Sequence, residues 1–200
     1  MEKPFAPACQ RNQEPILEVL RQIFKDNPIH VLEIGSGTGQ HAAYFSEHLP
    51  HLHWTTSDDE SYHNGIKLWI QDLTNVAGPL NYQAGRDEFP PGNYQAVFSA
   101  NTLHIMSWKN AKTLFKHLGR NLKSGAKVLF YGPFNYHQKY TSPTNKEFDL
   151  KLKEHNIKSA IRNFEDVVIN MSKAGFHLQE DFKMPANNHL LYFAKDKPSI

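Results

Sequence analysis

The chain has 200 residues, a usual size for one domain with one core, and its 40% hydrophobic and 12% aromatic residues suffice to fill that core. The net charge is +2, Lys and Arg are spread thinly, and no run of five basic residues occurs, so the composition argues against a dedicated nucleic-acid binder. The one cysteine, Cys9, excludes an intrachain disulfide and suits a reducing cytoplasm; no signal-peptide or lipidation pattern is found, and no apolar stretch approaches the ~20 residues a bilayer crossing needs.

Taken in chain order, residues 1–10 carry two prolines and are expected to wrap the surface. Ile16, Leu17, Leu20, Ile23 and Phe24 repeat at helical spacing, which predicts a helix over 13–26 with Pro15 in its first turn and Asp26-Asn27-Pro28 ending it. Residues 29–34 read as a buried strand, 35–39 as a glycine-rich turn, and the following residues as a helix to about Leu49. His53 to Ser57 reads as a second strand ending at Asp58-Asp59, followed by a helix over 61–71. Weak strand character marks 80–84; 94–99 forms a fourth strand, 108–122 a helix and 126–131 a fifth strand. A long segment, 132–163, reads as an insertion. After it come a helix over 164–173 capped by Gly175, then strands over 176–183 and 189–195 with no helix between them.

Strands alternating with helices predict a doubly wound, mostly parallel α/β sheet. The last two strands, joined by a short loop, can only be antiparallel neighbours. The sum is a seven-stranded sheet ending in an antiparallel hairpin. Neither a repeat nor a composition break marks a second domain, so 1–200 is expected to form a single one.

The chemistry concentrates after the first strand, in Val31-Leu32-Glu33-Ile34-Gly35-Ser36-Gly37-Thr38-Gly39. Glycines allow positive φ and leave no Cβ between backbone and ligand, so such a turn can lie against a nucleotide-like cofactor. The spacing is G-x-G-x-G, and Gln40 stands where the dinucleotide fingerprint expects its third small residue. Glu33, near the end of a buried strand, is costly there unless something pairs with it. Asp58, at the end of the second strand, can accept from both ribose hydroxyls, and adjacent Asp59 could substitute. Gln83, at the expected end of the third strand, has a carbonyl oxygen that can accept, a solvated loop glutamine being the alternative. After the fourth strand, Asn101 can both donate and accept, and His104 has the residue chemistry of a general base; a packed histidine at a helix start is the alternative. His48, His51 and His53 straddle a helix end and a strand start with no cysteine nearby, and no metal site is expected there.

The pattern E-x-G-x-G-x-G resembles motif I of class I S-adenosylmethionine-dependent methyltransferases, whose architecture is a parallel core with a terminal hairpin. More of the chain resembles one methyltransferase-like family long catalogued as a domain of unknown function. The matching stretches are 10–17, 37–41, 100–105, Tyr131-Gly132-Pro133-Phe134, 145–149 and Met184-Pro185-Ala186-Asn187-Asn188. The resemblance implies S-adenosylmethionine as cofactor and S-adenosylhomocysteine as product. It implies cofactor contacts at Glu33, Gly35, Ser36, Gly37, Gly39, His41, Asp58, Gln83 and Asn101, with Glu33 orienting the loop near the cationic end of the cofactor. Gln83 departs from the family, which tends to carry Asp near this position. Tyr131 joins His104 as a catalytic candidate, and Arg11, Asn12, Asn187 and Asn188 are candidates on the substrate side, the last two competing with a structural turn.

The function expected is methyl transfer to an acceptor, a small molecule being the leading class, with no membrane partner and no nucleic acid. Three alternatives stay open: a cofactor-binding module without catalysis, a methyltransferase acting on protein or RNA, and a nicotinamide-dependent oxidoreductase, against which the glycine spacing and the hairpin argue.

Overall fold

The computed structural model describes residues 2–25 and 27–196, so Asp26, the expected helix end, lies outside the described residues. The elements in chain order are α1 (Pro7–Phe24), β1 (Ile29–Ile34), α2 (Gln40–His48), β2 (Leu52–Asp58), α3 (His63–Ile70), β3 (Val76–Asn81), β4 (Ala96–Ala100), α4 (Trp108–Asn121), β5 (Lys127–Gly132), β6 (Phe134–Asn135), α5 (Pro143–His155), β7 (Arg162–Asn163), α6 (Phe164–Lys173), β8 (Phe176–Met184) and β9 (Asn188–Lys195). The fold is α/β, with a seven-stranded sheet in the order β3-β2-β1-β4-β5-β9-β8, mostly parallel and antiparallel at one edge. Two compact units divide between Phe98 and Ser99. No helix among the described residues is long and apolar enough to cross a membrane.

In the first unit β1 runs parallel to β2 and β4, and β2 parallel to β3. Phe45 of α2, Trp54 of β2 and Phe98 of β4 are fully buried with ring centroids 5.5–5.7 Å apart, so aromatic side chains weld that helix to the sheet. Helix α1 begins at Pro7, not near residue 13, and Pro15 stands inside it. Its buried stripe of Asn12, Ile16, Leu17, Val19, Leu20 and Phe24 explains the difference: packing outweighs the cost of an interior proline, about 3 kcal/mol. The third strand lies four residues earlier than its pattern suggests. Gly78-Pro79 disguises it, and β3 tolerates a proline because it is an edge strand.

In the second unit β9 pairs antiparallel with both β5 and β8. Phe115, Phe130 and Phe193 stack edge-on through its core at 5.9 and 6.3 Å. Gly175 follows α6 at φ 84° and donates its N–H to the Ser172 carbonyl, a left-handed terminator as its position suggests. The expected insertion is structured: it holds α5, capped by Ser142 Oγ accepting from Asn145 N–H, and the short parallel pair β6–β7.

Candidate functional site

The loop from β1 to α2 is stitched to the end of β2. The N–H groups of Gly35 and Ser36 both donate to the Ser57 carbonyl at 3.0 and 3.1 Å, and Ser57 N–H donates back to Ser36 Oγ at 3.2 Å. Gly37 N–H donates to Asp58 Oδ2 at 2.7 Å, while Asp59 N–H donates to Oδ1 at 2.7 Å. Asp58 therefore braces the glycine turn. Burial pushes its carboxyl up, and the two backbone N–H bonds oppose that.

Gly37 and Gly39 serve different ends. Gly39 has φ 90°, and a Cβ there would stand 3.0 Å from Ile66 Cα, so this glycine lets the loop close on α3. Gly37 has φ 57°, and a Cβ there would meet nothing within 4 Å. It lines an open cleft of about 360 Å³ with Thr38, Tyr62, Asn64 and Leu68. Glu2 and Pro4 of the N-terminal arm form another part of the lining. The Pro4 carbonyl accepts from Trp69 Nε1 at 2.7 Å, Ala6 N–H donates to Gln40 Oε1, and the Lys3 ammonium lies 5.1 Å from the Trp69 ring centre. Residues 2–6 thus wrap the surface at a defined place. Gln40, which breaks the dinucleotide fingerprint, is the buried anchor that holds them.

Beneath the loop, Glu33 is 1% exposed and accepts from Trp54 Nε1 at 3.1 Å. Burial pushes its carboxyl up to about 7, against hydrogen bonds from Trp54 and Ser36 and with the Asp58 charge adding to the rise. Asn12 and His41 are both buried and bonded to each other, Oδ1 to Nε2, at 2.7 Å, where α1 packs on α2. Burial lowers the His41 imidazole to about 4, so it stays neutral. Arg11 is exposed on α1. Gln83 is exposed two residues beyond the end of β3, in a turn where its carbonyl accepts from Arg86 and Asp87 and its N–H donates to Asp87 Oδ2 at 2.7 Å. The expectation that it ends the third strand is corrected by the register of β3.

In the second unit Asn101, at φ 58°, donates its N–H to the Tyr131 carbonyl at 2.8 Å. A Cβ at Gly132 would stand 3.5 Å from both Asn101 Oδ1 and His104 Nδ1, so these two polar atoms lie close beside the glycine at the carboxyl ends of β4 and β5. His104 is 4% exposed; burial, with the Arg162 charge adding, lowers its imidazole to about 4, against the pull of Asp149. Tyr131 is buried on β5 opposite Leu190. Asn187 and Asn188 lie in the turn between β8 and β9: Ala186 and Asn187 hold φ near 57°, Asn188 Nδ2 donates to the Pro185 carbonyl at 3.2 Å, and the Asn187 carbonyl accepts from Asn145. The amide of Asn188 thereby closes the turn.

A family model described as a protein of unknown function, DUF938, matches residues 3–195. The chain belongs to that family. Among solved structures it is similar to an O-methyltransferase family protein from Burkholderia thailandensis (TM-score 0.80, 16% identity, 96% of this chain and 58% of that one). It is similar as well to an O-methyltransferase family 2 protein from Planctomyces limnophilus in complex with apigenin (0.80, 14%, 94% and 57%). A third is human N-acetylserotonin methyltransferase in complex with S-adenosylmethionine (0.73, 14%, 95% and 58%). The DUF938 chain spans a little over half the length of each, and at these identities the likeness establishes the methyltransferase fold.

The stretch 145–149 of the DUF938 protein also gains a role that its pattern does not announce. Asp149 is 2% exposed on α5 and accepts from Tyr140 Oη at 2.8 Å, Lys153 Nζ at 2.6 Å and Ile161 N–H at 2.6 Å. Burial favours its neutral form, but these bonds outweigh burial and hold its carboxyl below the usual range. Arg162, 9% exposed, donates Nε to the Leu103 carbonyl at 2.9 Å and Nη2 to the carbonyls of Met106 and Lys158. It clamps the turn that carries His104. Arg162→Met leaves three carbonyls without their charged donor and is expected to cost about 3 kcal/mol in urea unfolding. A loss below about 1 kcal/mol would show that the clamp is dispensable.

Proposed function

We propose that this protein binds S-adenosylmethionine in the cleft beside Gly37 and transfers its methyl group to a hydroxyl oxygen of a small molecule. The carrying observation is Gly37 itself, a glycine with open space on its Cβ side, in a turn pinned by a carboxylate at the end of the next strand. In open α/β sheets ligands sit outside the carboxyl ends of the strands, where both residues stand. The fit is chemical as well. Each Asp58 oxygen already accepts one backbone N–H and keeps a second lone pair for a ribose hydroxyl.

When bound, the cofactor supplies a methyl group already activated by the positive sulfur. The protein's part is alignment, and holding acceptor and methyl carbon in line can be worth ~7–11 kcal/mol of barrier. With its imidazole at about 4, His104 is neutral near physiological pH and a weak base. The hydroxyl class is supported by the O-methyltransferase neighbours.

A second reading, cofactor binding without turnover, draws support from the burial of His104 and the closed turn at Asn187-Asn188. The first test is thermal stability with S-adenosylmethionine, S-adenosylhomocysteine or NADH. At about 100 times Kd an adenosyl ligand is expected to add ~2.7 kcal/mol. A shift with NADH alone, or with none of the three, would sink the cofactor assignment; binding with no turnover on any hydroxyl compound would favour the second reading.

A further inference from the structure

The cleft beside Gly37 has a second wall, built by α3 and the N-terminal arm. Asp59 Oδ1 accepts from Ser61 N–H at 3.1 Å and caps a single turn over Glu60–Tyr62 that runs into α3. Tyr62 therefore lines the cleft at the start of α3, and Gly65 and Leu68 line it further along that helix. Tyr62 keeps 51% of its surface exposed. The arm forms the outer edge. A Cβ at Gly65 would stand 2.7 Å from Pro4 Cγ, so Pro4 sits against α3 only because a residue that weakens a helix is placed there. Trp69 Nε1 holds the Pro4 carbonyl, and the Lys3 ammonium lies over the Trp69 ring. Gln40 ties the arm to the glycine loop: its Oε1 accepts from Ala6 N–H and from Thr38 Oγ1, the latter at 3.1 Å.

The chemistry of this space selects one part of a ligand. Pro4, Tyr62, Gly65 and Leu68 give apolar walls with one aromatic ring, and Thr38, Ser61 and Asn64 add neutral groups that donate and accept. Among the described residues that line the cleft none is Lys, Arg or His, and Glu2 is the one carboxylate. A phosphate or an amino-acid carboxylate would meet no cation there. A flat base, with apolar faces and a polar edge, meets a matching surface, because an aromatic side chain offers a face to any base. Asp58 is bonded to Gly37, which lines the same cleft, so the ribose site and this wall adjoin. Gln83, exposed in its turn beyond β3, is not among the lining residues.

We propose that the adenine base of the cofactor is held on this α3 side of the cleft, against Tyr62 and Leu68, with residues 2–6 as the strap that closes its outer wall. This rests on the cofactor reading above. Because Gln40 joins strap and loop, a base seated there steadies both, and lifting of the strap opens the slot for release.

The test uses the full chain with S-adenosylhomocysteine, adenosine and methionine. Calorimetry on Tyr62→Ala is expected to show S-adenosylhomocysteine and adenosine both weakened roughly 10-fold, while Tyr62→Phe binds as the wild type does. Circular dichroism checks that both variants are folded, as the exposure of Tyr62 leads one to expect. In NMR, solvent exchange of the Trp69 indole N–H, assigned from Trp69→Phe, is expected to slow when adenosine binds and to stay unchanged with methionine. Trp69→Phe keeps a ring but loses the donor to Pro4, and it should release S-adenosylhomocysteine roughly 5-fold faster. Wild-type affinity in Tyr62→Ala, a larger loss in Gln83→Ala, or slowing by methionine in place of adenosine would overturn the base slot while the cofactor reading stood. Unchanged release in Trp69→Phe would overturn the strap. Adenosine binding that depends on Tyr62, with no binding of S-adenosylhomocysteine, would uphold the slot and overturn the cofactor reading; binding of neither would overturn both.

Discussion

Gly37→Leu is expected to leave the protein folded and to abolish cofactor binding, whereas Gly39→Leu is expected to unfold much of the population. At Gly37 the added side chain enters open cleft space, so the stability cost is the left-handed backbone term alone, roughly 1–2 kcal/mol. Affinity for S-adenosylhomocysteine should fall at least ~100-fold, about 2.7 kcal/mol. At Gly39 the same backbone cost is joined by a collision with the backbone of Ile66 and with Trp69 Cβ, which no rotamer relieves. A loss of about 3 kcal/mol or more, near 10 °C in Tm, should follow. Calorimetry and thermal denaturation on the pair separate the two roles. Retained binding in Gly37→Leu would overturn the placement of the cofactor. Equal stability of the two variants would show that the contact between loop and α3 is not tight.

Glu33→Gln is expected to make the protein more stable at pH 8 and to remove a slope from its pH profile. Burial raises the Glu33 carboxyl from 4.5 to about 7 in the folded state, so between those values the folded chain holds a proton that the unfolded chain has released. Stability therefore falls as pH rises through that window and levels off above 7, by about 3 kcal/mol in all. A neutral glutamine can still accept from Trp54 Nε1 and carries no such cost. The difference between the two proteins in urea midpoint should be small at pH 4.5 and reach its full size by pH 8. A constant difference across that range would mean that Glu33 stays ionised in the folded state and that some other positive group compensates it. The same experiment with ligand bears on why so costly a residue stands under the loop. In Glu33→Gln the Ser36 and Trp54 contacts persist in weaker form, and a fall in affinity despite the gain in stability would tie the charge to the cofactor.

Several features could be read without coordinates because they are local. Strands β1 and β5, helix α6 and the terminal hairpin follow from hydrophobic period and turn residues. The glycine turn follows from the need for positive φ at 35, 37 and 39, which the backbone satisfies. The order of strands and helices then implies a mostly parallel sheet, because parallel neighbours need a crossover. β3 was obscured by Pro79, since whether a strand lies at an edge is a property of the whole sheet. The start of helix α1 is not legible in the pattern because tertiary burial, not propensity, carries the helix past Pro15.

The chemistry of the site divides along the same line. The sequence by itself determined which residue types stand at the strand ends: a glycine-rich turn, an aspartate, an asparagine, a histidine. Only the tertiary structure decided what each does, because a buried polar group is defined by the partner it finds, and these partners lie far along the chain. Asp58 is engaged by Gly37, Glu33 by Trp54 and Asn12 by His41. Desolvation then sets which of them are charged, holding His41 and His104 neutral and raising Glu33 toward neutrality. No local period encodes either quantity, since both depend on the atoms that surround a side chain once the sheet has closed around it.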